Sequence, residues 1–371
     1  MSRPIFSVFM AGGAGERFWP LSRKTRPKQL LRLVRDDKTL LEEAIETVFP
    51  LTAPEQCHII TNTSLQDPIR QALPTLPHHN IIAEPLRRST TGCLLYAAAW
   101  ISARYSPEAL LAIITADHRV EDAEMFRQTI RAALHKADTE DALVGIGVKP
   151  TRPETGFGYV EVNEDPQYLR HFEGIPIYPV AFFREKPHQE LAEEYIRNPR
   201  FYWNTGMYFW KIQTFRESLQ RYRPELAETL DQLTSLLQAY PNNPTKPEIA
   251  EVFSTIPNLS IDYVLMEKAE NVFMVPGFFG WDDIGAWDCL DRLRPPDENG
   301  NLCIGDPILI DCHNATVVNE SGPEQMAVGV VGYDNIVVVT TRDGVLVCPK
   351  ERAQEVRKIV QELINNQARQ V

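Results

Sequence analysis

The residues best equipped for chemistry gather near the start of the chain, in Ala11-Gly-Gly-Ala-Gly-Glu-Arg-Phe-Trp-Pro-Leu-Ser-Arg-Lys-Thr-Arg-Pro-Lys-Gln-Leu-Leu31. Gly12, Gly13 and Gly15 carry no side chain, so the backbone can approach a ligand closely. Successive N–H groups of such a loop can cradle phosphate oxygens. Five bases (Arg17, Arg23, Lys24, Arg26 and Lys28) stand in this run against one acid, Glu16, in a chain whose formal net charge is -12. The reversal of sign suits a polyphosphate ligand. Arg23, Lys24 and Arg26 can equally be solvated surface charges.

Two other phosphate motifs fail on their residues. The Walker A pattern G-x-x-x-x-G-K-[ST] is missing. The dinucleotide fingerprint G-x-G-x-x-G breaks where Phe18 stands in place of its third glycine, which disfavours a dehydrogenase.

Acids that could answer a cation lie far away in the chain. Asp117 follows the apolar run Leu110 to Thr115, where a charge is costly without a partner; a turn or capping aspartate is the alternative reading. Asp282 and Asp283 are adjacent, and either can point inward. His118 reads as a turn histidine with a structural hydrogen bond.

These residues need a scaffold. Ile5 to Met10, His58 to Asn62, Ile81 to Ala83, Leu110 to Thr115 and Ala142 to Val148 read as strands. Leu40 to Phe49, Thr90 to Tyr105 and Met125 to Lys136 read as helices, the second with Ser89, Thr90 or Thr91 as its cap. The alternation predicts an α/β, Rossmann-like domain on a mixed, mostly parallel sheet, which binds ligands beyond the carboxyl ends of its strands. The glycine run and Asp117 both fall on that edge. Further helical patterns cover Phe215 to Tyr240 and Ile249 to Phe253.

Pro295-Pro296 and Asn299-Gly300-Asn301 mark a break. Beyond it, Ile308 to Ile310, Ala315 to Val318, Ala327 to Val331 and Ile336 to Thr340 are β-prone. Glu351 to Asn366 carries Val356, Ile359, Val360, Leu363 and Ile364 at helical spacing. The expected organisation is a domain over residues 1–294 and a small β-rich one over 295–371, ending in a helix.

Composition narrows the function. An acidic protein has no general attraction for nucleic acid. The six cysteines form no C-x-x-C pair, so reduced buried thiols are expected. No signal-peptide pattern is evident at the start, and apolar stretches such as Leu94 to Ala103 are too short to span a bilayer. A cytoplasmic enzyme without a membrane partner is expected.

Taken in order, the segments of this sequence resemble those of the mannose-1-phosphate guanylyltransferases, a branch of the nucleoside-diphosphate-sugar pyrophosphorylases. The segments are Gly12 to Leu31, Glu84-Pro-Leu-Arg-Arg-Ser-Thr90, Thr115-Ala-Asp-His118 and Pro153-Glu-Thr-Gly-Phe-Gly-Tyr159. Glu185-Lys-Pro187, Trp203-Asn-Thr-Gly-Met207, Ser260-Ile-Asp-Tyr263, Met266-Glu-Lys268 and Phe279 to Trp287 follow. Ser89 stands where the family has Asn, and Thr115 where it has Pro. The tail is similar to the family's short β-helix-like extension, as in a form without the isomerase domain that some bacterial members carry.

The resemblance implies GTP and mannose 1-phosphate as substrates, pyrophosphate as leaving group and Mg²⁺ as cofactor. It implies Asp117 and Asp283 as metal ligands, and Arg17 and Lys28 on the departing phosphates. It assigns Ala11, Gly12, Gly13, Gly15, Arg88 and Thr90 to the nucleotide, with Glu84 reading the two adjacent donors of guanine. Lys186 belongs to the sugar phosphate, and Gly156, Glu185 and Asn204 to the sugar. Another hexose 1-phosphate, another nucleotide or a non-catalytic subunit of this fold is the alternative. The β-rich tail is a candidate homodimer contact.

Overall fold

The computed structural model describes residues 3–371. The strands of its first part are β1 (Ile5–Met10), β2 (Cys57–Asn62), β3 (Ile81–Glu84), β4 (Leu110–Thr115), β5 (Arg119–Val120), β6 (Leu143–Val148), β7 (Gly158–Val162), β8 (Arg170–Phe172), β9 (Ile175–Glu185), β10 (Phe201–Lys211), β11 (Val272–Pro276) and β12 (Trp281–Asp282). The helices are α1 (Leu40–Val48), α2 (Gln66–Ala72), α3 (Ser89–Arg104), α4 (Ala123–Thr139), α5 (Gln189–Arg197), α6 (Ile212–Tyr222), α7 (Pro224–Ala239), α8 (Pro247–Ser254) and α9 (Leu290–Leu293).

β1 to β4 form the parallel half of one large sheet, in the order β3-β2-β1-β4. Their near-continuous apolar sequences suit strands covered on both faces. β10 then runs antiparallel between β4 and β6, β11 lies parallel to β6, and β9 and β7 are antiparallel. The sheet is therefore mixed, and parallel pairing is confined to β1–β4 and the β6–β11 pair. Alternation along β4 splits the core. Leu111 and Ile113 join one apolar cluster, while Leu110, Ala112 and Ile114 join another on the opposite face.

Two local expectations are corrected. No side chain caps α3: its cap residue is Arg88, and the Thr90 hydroxyl instead accepts a hydrogen bond from the Ile261 amide at 2.9 Å. Ser89 takes φ 54°, so the chain kinks into the helix rather than being capped into it. The thiols are also less uniform than expected, since Cys303 is exposed and Cys348 half-buried.

After residue 301 come β13 (Leu302–Ile304), β14 (Ile308–Ile310), β15 (Thr316–Asn319), β16 (Gly329–Val331), β17 (Ile336–Thr340) and β18 (Val345–Pro349). β13, β15 and β17 stack in parallel, as do β14 and β16, in β-helix-like coils. The chain ends in α10 (Val356–Asn365), preceded by a 3₁₀ segment where a longer helix was expected. Val356 and Val360 are buried, whereas Ile359 and Ile364 of the expected face are exposed.

A third apolar cluster ties this part to the rest. It joins Phe18, Trp19, Leu21 and Leu31 of the glycine-rich segment to Leu346, Val356 and Val360. Arg23 pairs with Asp343 at 2.9 Å, and Arg26 pairs with Glu320. Part of the positive charge read as phosphate-binding thus serves the C-terminal coils.

Candidate active site

The glycine run leaves the carboxyl end of β1 and is fixed from below. The Ala11 carbonyl accepts from Gln29 Nε2 at 2.7 Å and from the Thr61 hydroxyl at 2.9 Å. Ala11 itself is buried, so its part is to anchor the loop. Gly15 adopts φ 64°, and a Cβ there would stand 2.9 Å from the Lys28 amide nitrogen. Only glycine allows the loop and the Lys28 turn to approach this closely.

Lys28 is the hub. Its Nζ lies 2.9 Å from Asp117 Oδ2 and donates to the Asp283 carbonyl at 2.8 Å. Arg17 donates to the Gly285 carbonyl at 3.2 Å. Segments more than 250 residues apart in sequence therefore meet at one ammonium group. Burial pushes Asp117 up, but the Lys28 ammonium, as a charge and as a hydrogen-bond donor, outweighs it and holds the carboxyl below its ordinary range. Burial raises Asp283 to about 6, with Lys28 only partly offsetting it. The Trp281 indole donates to His118 Nδ1 at 3.2 Å, so the neutral ring carries its proton on Nε2, 3.8 Å from Asp117 Oδ1. Burial keeps that ring neutral, pulling its pKa down to about 4.

Two cavities adjoin here. One of 440 Å³ is lined by residues 14–17, Lys28, Asp117 and Asp283. The other, of 310 Å³, is lined by Gly12, Gly13, Glu84, Arg88, Ser89 and Thr90. Asp117 and Arg87 border both. The first is rimmed by bases and acids and suits phosphates. The second has the buried Glu84 carboxyl, which burial raises to about 8, and suits a base. A larger cavity of 810 Å³ beside β3 shares Glu84 but none of the loop glycines, Lys28 or the two aspartates.

A separate polar cluster forms where β7, β9 and β10 meet. Glu185 is buried, and a Cβ on Gly158 would stand 2.5 Å from its Oε2 and 3.3 Å from Asn204 Cβ. Lys186 pairs with Glu185 Oε1 at 2.5 Å and takes φ 46°. Asn204 Nδ2 donates to Tyr208 Oη at 2.8 Å and to Asp262 Oδ1 at 3.0 Å. Its Oδ1 accepts from the Gly206 amide at 3.2 Å. Burial, Asp262 and Glu267 together raise Glu185 to about 7 against the pull of Lys186. Gly206, in turn, packs near Thr115, which borders the base cavity. The cluster therefore adjoins the 310 Å³ cavity.

Comparison with known proteins identifies the family. The nucleotidyl transferase family model matches residues 6–298, and a "MannoseP isomerase/GMP-like beta-helix domain" model matches residues 305–363. The mannose-1-phosphate guanylyltransferase of Escherichia coli K12 is 35% identical over 97% of this chain and 73% of its own length. That of Klebsiella pneumoniae is 33% identical over 98% and 74%. The chain belongs to the mannose-1-phosphate guanylyltransferase family. A crystal structure from Thermus thermophilus, described as a "mannose-1-phosphate geranyltransferase", is 34% identical, with a TM-score of 0.83 over 97% of this chain and 99% of that one. The protein is thus a nucleotidyltransferase enzyme of nucleotide-sugar synthesis, in a family that generally uses a divalent metal.

Sequence reasoning missed some residues of the site. Arg87 borders both cavities, while its neighbour Arg88 lines only the 310 Å³ one and donates to the Ser254 carbonyl at 2.9 Å. Gly158, rather than Gly156, presses against Glu185; the Gly156 amide is taken by Glu154 at 3.1 Å. Asp262 lies in the quoted Ser260-Ile-Asp-Tyr263 segment, yet had no role. A π-helical turn over Asp262–Met266 begins at this residue. Arg357, on α10, lines the 440 Å³ cavity, and no local motif marked it.

Proposed function

We propose that this enzyme joins GTP to α-D-mannose 1-phosphate, with Mg²⁺ as its metal. A phosphate oxygen of the sugar phosphate attacks the α-phosphorus in line. The bond from the α-phosphorus to its bridging oxygen breaks, and pyrophosphate departs. The observation that carries this reading is the meeting of Asp117, Asp283, Arg17 and Lys28 around one cavity beneath the glycine loop.

Asp117 and Asp283 would hold the cation. The fit rests on two carboxylates bordering one cavity, with no cation paired to the Asp283 carboxylate among the described residues, as suits an ion that takes its other ligands from phosphate and water. When bound, the cation neutralises charge developing on the phosphoryl oxygens. The chain's own part is positioning and charge compensation, since phosphoryl transfer needs no protein nucleophile here. Arg17 and Lys28 bind the departing phosphates, and the amides of Gly12, Gly13 and Gly15 cradle them. Glu84 accepts from guanine, with Arg88 and Thr90 in the wall beside it. Glu185 accepts from sugar hydroxyls, joined by the remaining lone pair of Asn204. Lys186 answers the sugar phosphate, and Gly156 lies in the loop that covers the sugar.

On the same reading residues 1–294 are the transferase domain and 295–371 the β-rich one. The six free cysteines suit a reducing compartment, and the cytoplasm is the localisation proposed.

Pyrophosphate release over a matrix of nucleoside triphosphates and hexose 1-phosphates, with and without chelator, tests the reading. GTP with mannose 1-phosphate should turn over fastest and only with the metal. Arg17→Ala should cost on the order of 10²-fold or more in rate. Faster turnover of another pair, or full activity in chelator, would overturn it.

A further inference from the structure

We propose that Arg357, on the C-terminal helix, binds the pyrophosphate part of the nucleotide, so that the β-rich domain completes the phosphate site. This rests on the phosphate reading of the 440 Å³ cavity, which Arg357 lines together with Arg17 and Lys28.

Arg87, shared with the neighbouring cavity, is a fourth cation of this wall, and the four differ in what already occupies them. Lys28 is committed to Asp117 and to the Asp283 carbonyl. Arg17 donates to the Gly285 carbonyl. Arg357, like Arg87, engages no acid or carbonyl among the described residues, but Arg87 also borders the neighbouring cavity, whereas Arg357 faces this one alone. The nearby acid Glu355 pairs with Arg352 at 2.9 Å and Lys358 at 2.8 Å instead. Arg357 is also the cation of the cavity wall contributed by the C-terminal part, and its backbone is firmly held. Val356 before it and Val360 after it are 2% and 5% exposed in the interdomain core. The Trp19 indole, from the glycine-rich segment itself, donates to the Gln370 carbonyl at 2.9 Å.

A fixed backbone carrying an unengaged guanidinium at the edge of a phosphate cavity is arranged to grip an anion. The planar fork of arginine matches a terminal phosphate in a bidentate way that a lysine cannot reproduce. The pyrophosphate end is the part that gains charge as the α-phosphorus bond breaks. A cation there favours both GTP binding and the departing group, while mannose 1-phosphate, held at the β7–β9–β10 cluster, is indifferent to it.

The test compares Arg357→Ala, Arg357→Lys and Arg17→Ala in the full-length enzyme. The readouts are product inhibition by inorganic pyrophosphate, KM for each substrate, and the thermal midpoint. Arg357→Ala should raise both the pyrophosphate inhibition constant and the KM for GTP by about tenfold, as expected for one charge-assisted hydrogen bond. It should leave the KM for mannose 1-phosphate within about twofold and the midpoint unchanged. Arg357→Lys should recover part of the loss, because it keeps the charge but not the fork. If Arg357→Ala changes neither nucleotide constant while Arg17→Ala does, the proposal is overturned and the phosphate reading stands. If neither variant changes them, the phosphate reading fails and takes this inference with it. If Arg357→Ala lowers the midpoint and weakens both substrates equally, the residue acts through the fold and the proposal is overturned.

Discussion

At the scale of single residues, Glu84 gives the sharpest prediction. Burial raises its carboxyl from an ordinary 4.5 to about 8, so the free protein holds it protonated at neutral pH. A protonated carboxyl cannot accept from both guanine donors, and binding must expel that proton. GTP affinity should therefore weaken by about tenfold per unit as pH falls below 8, and level off above it. Calorimetric titration of GTP from pH 6 to 9 reads this directly. Glu84→Gln should flatten the profile and erode the preference for GTP over ATP. A profile shared by both proteins would remove Glu84 as the base reader. Glu84, Asp117 and Asp283 came forward as candidates through segments that resemble the family's, and the structure places all three at the two adjoining cavities. Choosing Arg87 or Arg88 was not legible. Which of two adjacent arginines borders a cavity depends on the local backbone, which here takes φ 54° at the following Ser89. Arg357 was invisible for another reason: its position comes from packing α10 against a segment over 300 residues earlier.

Elements set these residues by register, and the strands of the parallel half were the easiest to read. Their apolar runs are long and unbroken, which is what burial on both faces demands. β10, β9 and β11 were harder. Their place depends on long-range antiparallel pairing, and Asn204, Gly206 and Tyr208 lie in a register shift of β10 that no local pattern announces. His58 on β2 shows how completely the parallel half is buried. It is 0% exposed, its ring centroid lies 5.6 Å from that of Phe6, and burial lowers its pKa from 6.5 to about 4. The folded state binds this proton less readily than the unfolded chain does. His58 therefore supports stability fully above pH 6.5, and that support is lost as pH falls towards 4, by roughly 3 kcal/mol in all. Urea unfolding of the wild type and His58→Phe across pH 4 to 7 should show the wild type losing stability relative to the variant as pH falls, by roughly 3 kcal/mol in all. Parallel curves would mean that the imidazole is not held neutral in the fold.

In the whole molecule, the proposed nucleotide end and the proposed sugar end rest on different foundations. The sugar cluster sits on β7, β9 and β10 inside the large sheet. The glycine-rich segment instead lays Phe18, Trp19 and Leu21 against the C-terminal coils, reinforced by the Arg23–Asp343 and Arg26–Glu320 pairs. The alternating pattern of the sequence foretold a β-rich tail, but not that the tail would brace the catalytic loop, since the bases that make those pairs also read as phosphate ligands. Loosening the interdomain core should consequently weaken one substrate and spare the other. Leu346 is 1% exposed in that core, and Leu346→Ala should cost about 2–5 kcal/mol. Ile130, 0% exposed on α4 within the sheet's own core, provides a control of similar cost. Leu346→Ala is expected to raise the KM for GTP several-fold while the KM for mannose 1-phosphate stays near its starting value. Ile130→Ala should lower the thermal midpoint comparably without separating the two constants. A GTP constant that Leu346→Ala leaves alone, or that Ile130→Ala raises as much, would show that the glycine loop holds its shape without the C-terminal domain.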